Sequence, residues 1–211
     1  MNAYVTLSGE ASVSLEVKKS EFIGHAAPVR SEEEARDFIA KIRKKHADAR
    51  HNVYAYLLAE NQIMRYSDDG EPQGTAGLPV LGVLRKGGIT DAVIVVTRYF
   101  GGILLGTGGL VRAYSEAARA AAEAAGRASF VLYDECSLSM SYSFYPRFLP
   151  LLKGLPIIVD QTDFGADVSV RLAVRSDVYT RFGELLAKAG AGSVLLHKTG
   201  VRLDAENPAS E

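Results

Sequence analysis

Three carboxylates and two arginines stand in one stretch crowded with glycine, and they are the residues best suited to chemistry. Asp68, Asp69 and Glu71 fall together in Ser67-Asp-Asp-Gly-Glu-Pro-Gln-Gly-Thr-Ala-Gly-Leu-Pro79. Closely spaced carboxylates offer the hard oxygens that magnesium prefers, although the spacing is not that of a calcium-binding helix–loop–helix. The same acids also read as an Asp-Gly turn whose charges face water. Gly101, Gly102, Gly106, Gly108 and Gly109 precede a long helical pattern. Free N–H groups at a helix start, approached through glycines, suit an anion. The same glycines would serve a tight loop and close helix-to-sheet packing. Neither common nucleotide loop is present: no lysine lies between Lys86 and Lys153, and Gly106-Thr-Gly-Gly-Leu-Val111 breaks the dinucleotide spacing. Arg98, Tyr99 and Phe100 put a cation beside two aromatics at a strand end, a combination that can neutralise a phosphate and stack a base. Arg112 reads either as a second phosphate contact or as the partner of Glu116 four residues on. His25, His46, His51 and His197 show no zinc spacing. Ser67 and Thr75 have no evident base.

The elements that must hold these residues follow from periodicity. Residues 11–29 read as two extended segments with a turn near Lys18-Lys19-Ser20. Ser31-Glu-Glu-Glu34 is a capping box, and Ala35, Phe38, Ile39, Ile42 and His46 recur at helical spacing after it. Asn52–Ala59 reads as a strand. A helix opens at Thr75 or Gly77, with Pro79 in its first turn, and stops at Gly87-Gly88. The continuous Val-Ile-Val-Val run within Asp91–Arg98 predicts a strand covered on both faces. Thr107 to Gly126 is the clearest helix, with Thr107 as its cap and an alanine-rich stripe for close packing. Ala128–Val131 reads as a join. Beyond it come strand 133–140, helix 144–153, strands 156–161 and 167–175, helix 177–189 and strand 192–199, the split βαββαβ pattern.

The 211 residues are 47% hydrophobic and 23% charged, an ordinary globular profile long enough for two domains. The net charge of −1 gives no global basic field. The single cysteine, Cys136, excludes an internal disulfide and reads as a small buried residue. No secretion signal is visible at the start and no apolar run is long enough to span a bilayer, so a cytoplasmic protein is expected.

Lys18-Lys-Ser-Glu-Phe-Ile23, Ala49-Arg-His-Asn-Val-Tyr-Ala-Tyr56, Tyr66-Ser-Asp-Asp-Gly-Glu-Pro72, Gly74-Thr-Ala-Gly77 and Thr97-Arg-Tyr-Phe-Gly-Gly-Ile-Leu-Leu-Gly-Thr-Gly-Gly-Leu-Val-Arg-Ala-Tyr114 resemble the IMPACT/YigZ family, over essentially the whole chain. The resemblance implies an α+β protein of two domains. Residues 1–131 should have the fold of domain 2 of ribosomal protein S5, a small sheet with helices on one side. Residues 132–203 should be ferredoxin-like, similar to domain V of elongation factor G, and residues 204–211 a disordered tail. Carried over by position, the family signature marks Asp68, Asp69, Gly70, Glu71, Gly74, Thr75 and Gly77 as an acidic loop. It also marks Arg98, Tyr99, Gly101, Gly102, Gly106, Gly108, Gly109 and Arg112 as a glycine-rich face. Tyr66 departs from the pattern where other members can have Cys or Phe.

Eukaryotic members of the family regulate translation. The resemblance therefore implies a translation-associated regulator that binds RNA, the ribosome or a translation factor through the glycine-rich face and needs no cofactor. One alternative is a magnesium-dependent enzyme acting on a phosphorylated metabolite or nucleotide, with Asp68, Asp69 and Glu71 holding the metal. Another is a protein-interaction module. The sequence leaves the oligomeric state open.

Overall fold

A computed structural model describes residues 3–206, which form two compact units, one from Tyr4 to Ala128 and the other from Ser129 onward. In the first, strands β1 (Tyr4–Leu7), β2 (Ala11–Val17) and β3 (Ser20–Pro28) lead into helix α1 (Glu32–Lys45). Strands β4 (His51–Leu58) and β5 (Ile63–Ser67), helix α2 (Gly77–Gly87), strand β6 (Ala92–Tyr99) and helix α3 (Thr107–Ala125) follow. The sheet runs β2-β3-β6-β4-β5 and every pairing is antiparallel.

Local chemistry explains the helix ends. Ser31 Oγ accepts from Glu34 N at 3.1 Å, while the Glu34 carboxylate reaches back one residue further than a capping box requires, to Arg30 N. Gly88 closes α2 in the left-handed region, at φ 62°. Gly106, rather than Thr107, caps α3, and no side chain satisfies its first turn.

Helices cover both faces of this sheet, which corrects the expectation of helices on one side. Phe22, Ala26, Val53, Ala55, Ile94 and Val96 pack against α2 and α3. Ala27, Tyr56, Val93 and Val95 pack against Phe38, Ile39 and Ile42 of α1. Successive strand residues point to opposite faces, so central strand β6 carries apolar side chains at every position from Ala92 to Val96 to fill two cores.

The second unit is built around β7 (Arg127–Met140), α4 (Tyr145–Phe148), β8 (Ile157–Phe164), β9 (Val168–Arg175), α5 (Tyr179–Ala189) and β10 (His197–Ala205). Strand order β10-β7-β9-β8, all antiparallel, is the ferredoxin-like arrangement. Helix α4 is a single turn that tightens into a 3₁₀ turn at Leu149–Leu152, because Pro150 has no N–H with which to continue it. Phe148, Leu172, Phe182 and Leu186 centre the core. Cys136 is buried, and burial and then Asp134 push its thiol up to about 11.

Three expectations shift. The expected join at 128–131 lies inside continuous strand β7. The last strand is His197–Ala205 rather than 192–199, so Asp204 and Ala205 of the expected tail are paired with β7. Glu206 of that tail donates its N–H to the Ser129 carbonyl, and residues 207–211 lie outside the described residues.

Candidate functional site

The acidic loop connects β5 to α2, and its three carboxylates turn to three different tasks. Asp68 Oδ1 accepts from the backbone N–H of Ala76 and Gly77, and its Oδ2 from Gly74. It thereby caps α2, whose own first turn carries neither an acid nor a side-chain cap. Asp69 binds Arg43 of α1 through Oδ1 at 2.7 Å and the backbone N–H of Asn52 in β4 through Oδ2 at 2.7 Å. Its backbone is left-handed at φ 44°, followed by Gly70 at 87° and, beyond Pro72, Gly74 at 77°. Thr75 Oγ1 donates to the Pro72 carbonyl. Gly77 sits where a Cβ would lie 2.8 Å from the Ser67 backbone.

Glu71 goes inward. Its Oε1 receives Arg98 Nη1 at 2.6 Å and the Tyr114 hydroxyl of α3 at 2.7 Å. Burial and then the Glu71 carboxylate push the Tyr114 hydroxyl far up, so it stays a neutral donor. His51 Nδ1 donates to the Asp69 carbonyl, and its Nε2 lies 3.9 Å from Glu71 Oε1. Among the described residues no three His, Cys, Asp or Glu side chains converge on a point where a metal ion would sit. The three acids act as fasteners: each is engaged by N–H, hydroxyl or guanidinium donors.

Arg98 is also reassigned. It is only 6% exposed, with its guanidinium over the Phe22 and Phe100 rings and paired to Glu71, so it offers no open phosphate contact. Tyr99 points to the other face of the sheet, toward α1. Its hydroxyl gives its one proton to Asp48 Oδ1 at 3.0 Å, so at the 3.0 Å contact with His46 the ring Nδ1 must be the donor. Arg98 and Tyr99, adjacent in β6, therefore face opposite sides of the sheet.

The glycine-rich loop does stand open. Between β6 and α3 it exposes Gly102, Ile103, Gly106 and Leu104, the last 82% accessible. Gly101 is different. Its N–H donates to Ser20 Oγ, and a Cβ there would overlap the Lys19 carbonyl, so the loop lies directly on the β2–β3 turn. Gly108 has open space around it, whereas a Cβ on Gly109 would come 2.9 Å from Leu105 Cβ. Arg112 is exposed on α3 and makes no ion pair among the described residues; the expected pair with Glu116 does not form, whereas Arg119 and Glu123 meet at 3.4 Å.

Sequence reasoning found the β2–β3 turn without assigning it to the site. Val17 pairs with Ser20, leaving Lys18 and Lys19 as a two-residue turn with both residues left-handed, at φ 48° and 65°. Such turns normally use Asn-Gly, and a lysine held there costs about 1 kcal/mol. Both lysines are exposed and unpaired among the described residues. The signal available in the sequence was two adjacent lysines where a hairpin wants Asn-Gly.

The face of the sheet beneath α1 holds a separate polar group. His25 is fully buried on β3, with Nδ1 2.8 Å from Ser12 Oγ, and its ring lies 5.1 Å from that of His46. Burial first, then His46 and Lys45, lower His25 from 6.5 to about 4. In the folded protein it therefore stays neutral where the unfolded chain takes up a proton. Stability from this group is complete above pH 6.5 and falls by up to ~1.4 kcal/mol per pH unit as pH drops toward 4. Urea titrations at pH 7, 6 and 5 should show that slope, and His25→Asn should flatten it. An unchanged slope in the variant would place the titration elsewhere.

The comparisons with known proteins converge. Residues 18–122 match the family model described as the Impact N-terminal domain. The chain is 34% identical to "IMPACT family member YigZ" of Escherichia coli, over 93% of this chain and 98% of that one. It is 49% identical to "IMPACT family member YvyE" of Bacillus subtilis, over 55% of this chain and 54% of that one. "Protein IMPACT" of Mus musculus is 36% identical over 42% of this chain and 29% of that protein. A crystal structure described as that of a hypothetical protein superposes with a TM-score of 0.60 at 34% identity, over 94% of this chain and 98% of that one.

Proposed function

Because the chain belongs to the IMPACT family, we propose that it is a cytoplasmic, translation-associated regulatory protein that binds the ribosome through RNA phosphates. The contact face is the glycine-rich loop together with the β2–β3 turn on which it rests. The translation role comes from the family. The placement of the face is argued from one observation: two lysines held left-handed, against their own preference, directly beside that loop. Backbone strain that the fold does not need is characteristic of binding surfaces.

The pieces are complementary to a phosphate backbone. Lys18 and Lys19 supply unpaired cations. Gly102 and Gly106 let the backbone come close to a ligand, and the uncapped first turn of α3, free of acids, leaves N–H donors available. Arg112 follows about one and a half turns into the helix. Arg98 contributes indirectly, by holding Glu71 and so the frame of the loop.

Co-sedimentation with purified ribosomes and subunits tests this. Wild-type protein should bind saturably and lose affinity as salt rises; Arg112→Ala should bind more weakly, with a shallower salt dependence. Absence of binding at low salt would contradict the proposal.

A further inference from the structure

Helices α2 and α3 leave an open groove of ≈ 660 Å³ on their outer side. Leu78, Pro79 and Val83 form one wall and Val111 and Ser115 the other. Leu78 and Val111 are both exposed, so the groove presents apolar side chains that nothing in the first unit covers. Its rim is cationic. Lys86, Arg112 and Arg119 line it against a single lining carboxylate, Glu116, and among the described residues only Arg119 of the three has an ion-pair partner, Glu123. α2 itself contains no acid. Lys86 and Arg112 have no ion-pair partner among the described residues.

Gly82 explains how the groove stays open. It lies in the interior of α2, where glycine weakens a helix. A Cβ at Gly82 would meet nothing within 4 Å. No neighbour therefore requires its small size, in contrast to Gly24, Gly77 and Gly101, where backbone would be struck. Gly82 therefore leaves the floor of the groove bare, with room above it for a side chain.

We infer that the α2–α3 groove receives an acidic amphipathic helical segment of a partner protein. This goes beyond the ribosome-binding reading and concerns a neighbouring surface that shares Arg112 with it. The apolar side chains of the segment, spaced i, i+3/i+4 and i+7, fill the groove over Gly82, and its flanking carboxylates meet Lys86, Arg112 and Arg119. α2 is ~16 Å long, which matches about ten helical residues. Nucleic acid fits this groove poorly, because its walls are aliphatic and offer no aromatic face for a base.

The test uses a fluorescein-labelled peptide of about twelve residues, with leucines on one helical face and glutamates beside them, and a scrambled peptide of the same composition. Wild-type protein should bind the patterned peptide at least ~10-fold more tightly than the scramble. Gly82→Leu, which fills the floor and improves the helix, should melt at a higher temperature and lose that preference. Lys86→Glu/Arg112→Glu should weaken patterned-peptide binding by ~10-fold or more. Equal binding of the two peptides, or unchanged preference in a folded Gly82→Leu protein, would overturn the inference. So would displacement of the peptide by polyuridylate of equal charge, since the groove would then be a phosphate surface. None of these assays contains ribosomes, so failure here leaves the ribosome proposal standing, and loss of ribosome binding in a hairpin variant leaves this one standing.

Discussion

Replacing Glu71 by alanine is expected to cost the first unit about 3–5 kcal/mol. The carboxylate is nearly inaccessible and is shared by the Arg98 guanidinium and the Tyr114 hydroxyl. Its removal leaves a buried cation and a buried hydroxyl without their acceptor. A small domain is stable by only about 5–15 kcal/mol, so such a loss lowers the melting temperature by 15 °C or more. Arg98→Ala should fall in the same range, because it leaves the opposite charge unpaired. The double variant Glu71→Ala/Arg98→Ala should lose much less than the sum of the two. Denaturant titration of the three variants measures this coupling. Additive losses, or a Glu71→Ala loss below about 1 kcal/mol, would mean that the acidic loop is free and available for chemistry.

The second large effect is steric. Gly24→Ala in β3 places a methyl group against the Ala117 carbonyl of α3 and 2.9 Å from Ala121 Cβ. Gly101→Ala places one against the Lys19 backbone. In each case the obstacle is backbone, which yields only by moving a helix or a turn, so a loss of roughly 1–3 kcal/mol or more is expected from either. The two differ in their functional consequence. Gly24→Ala shifts α3 on the sheet and should be felt as stability alone. Gly101→Ala lifts the loop from the lysine turn and should also weaken ribosome binding in protein that is still folded. Parallel melting and co-sedimentation separate these outcomes. Two variants with equal binding per folded molecule would contradict the assignment of the loop to the contact face.

The long-range partners explain what the sequence hid. Capping residues, the Gly88 stop and the alanine stripe of α3 act within one or two turns, and those helices are readable from local pattern. Edge strand β5 escaped notice because Ile63–Ser67 buries little and shows no strong alternation. The final strand was displaced because Val194-Leu195-Leu196 is the apolar run, yet Val194 anchors a loop in the core while the charged segment His197–Ala205 makes the pairing. The acids of the signature loop were recognisable as important residues. Their role was not, because the partners of Glu71 stand 27 and 43 residues away. The strand period of two was present in the sequence and is enough to separate Arg98 from Tyr99 once the strand is placed. The lysine turn was visible, but its strain appears only in the dihedral angles.

The central claim is that one half of the signature fastens the fold while the glycine loop and the lysine turn bind. The most direct test is the variant Lys18→Asn/Lys19→Gly, measured for stability and for ribosome affinity across a salt series. Asn-Gly relieves the left-handed turn, so the variant should be more stable than wild type by about 1–2 kcal/mol. With two cations removed it should bind ribosomes more weakly, and the slope of log affinity against log salt should shrink by about two. A more stable variant that binds with wild-type affinity and slope would contradict the account, because the strained lysines would then have no part in the contact.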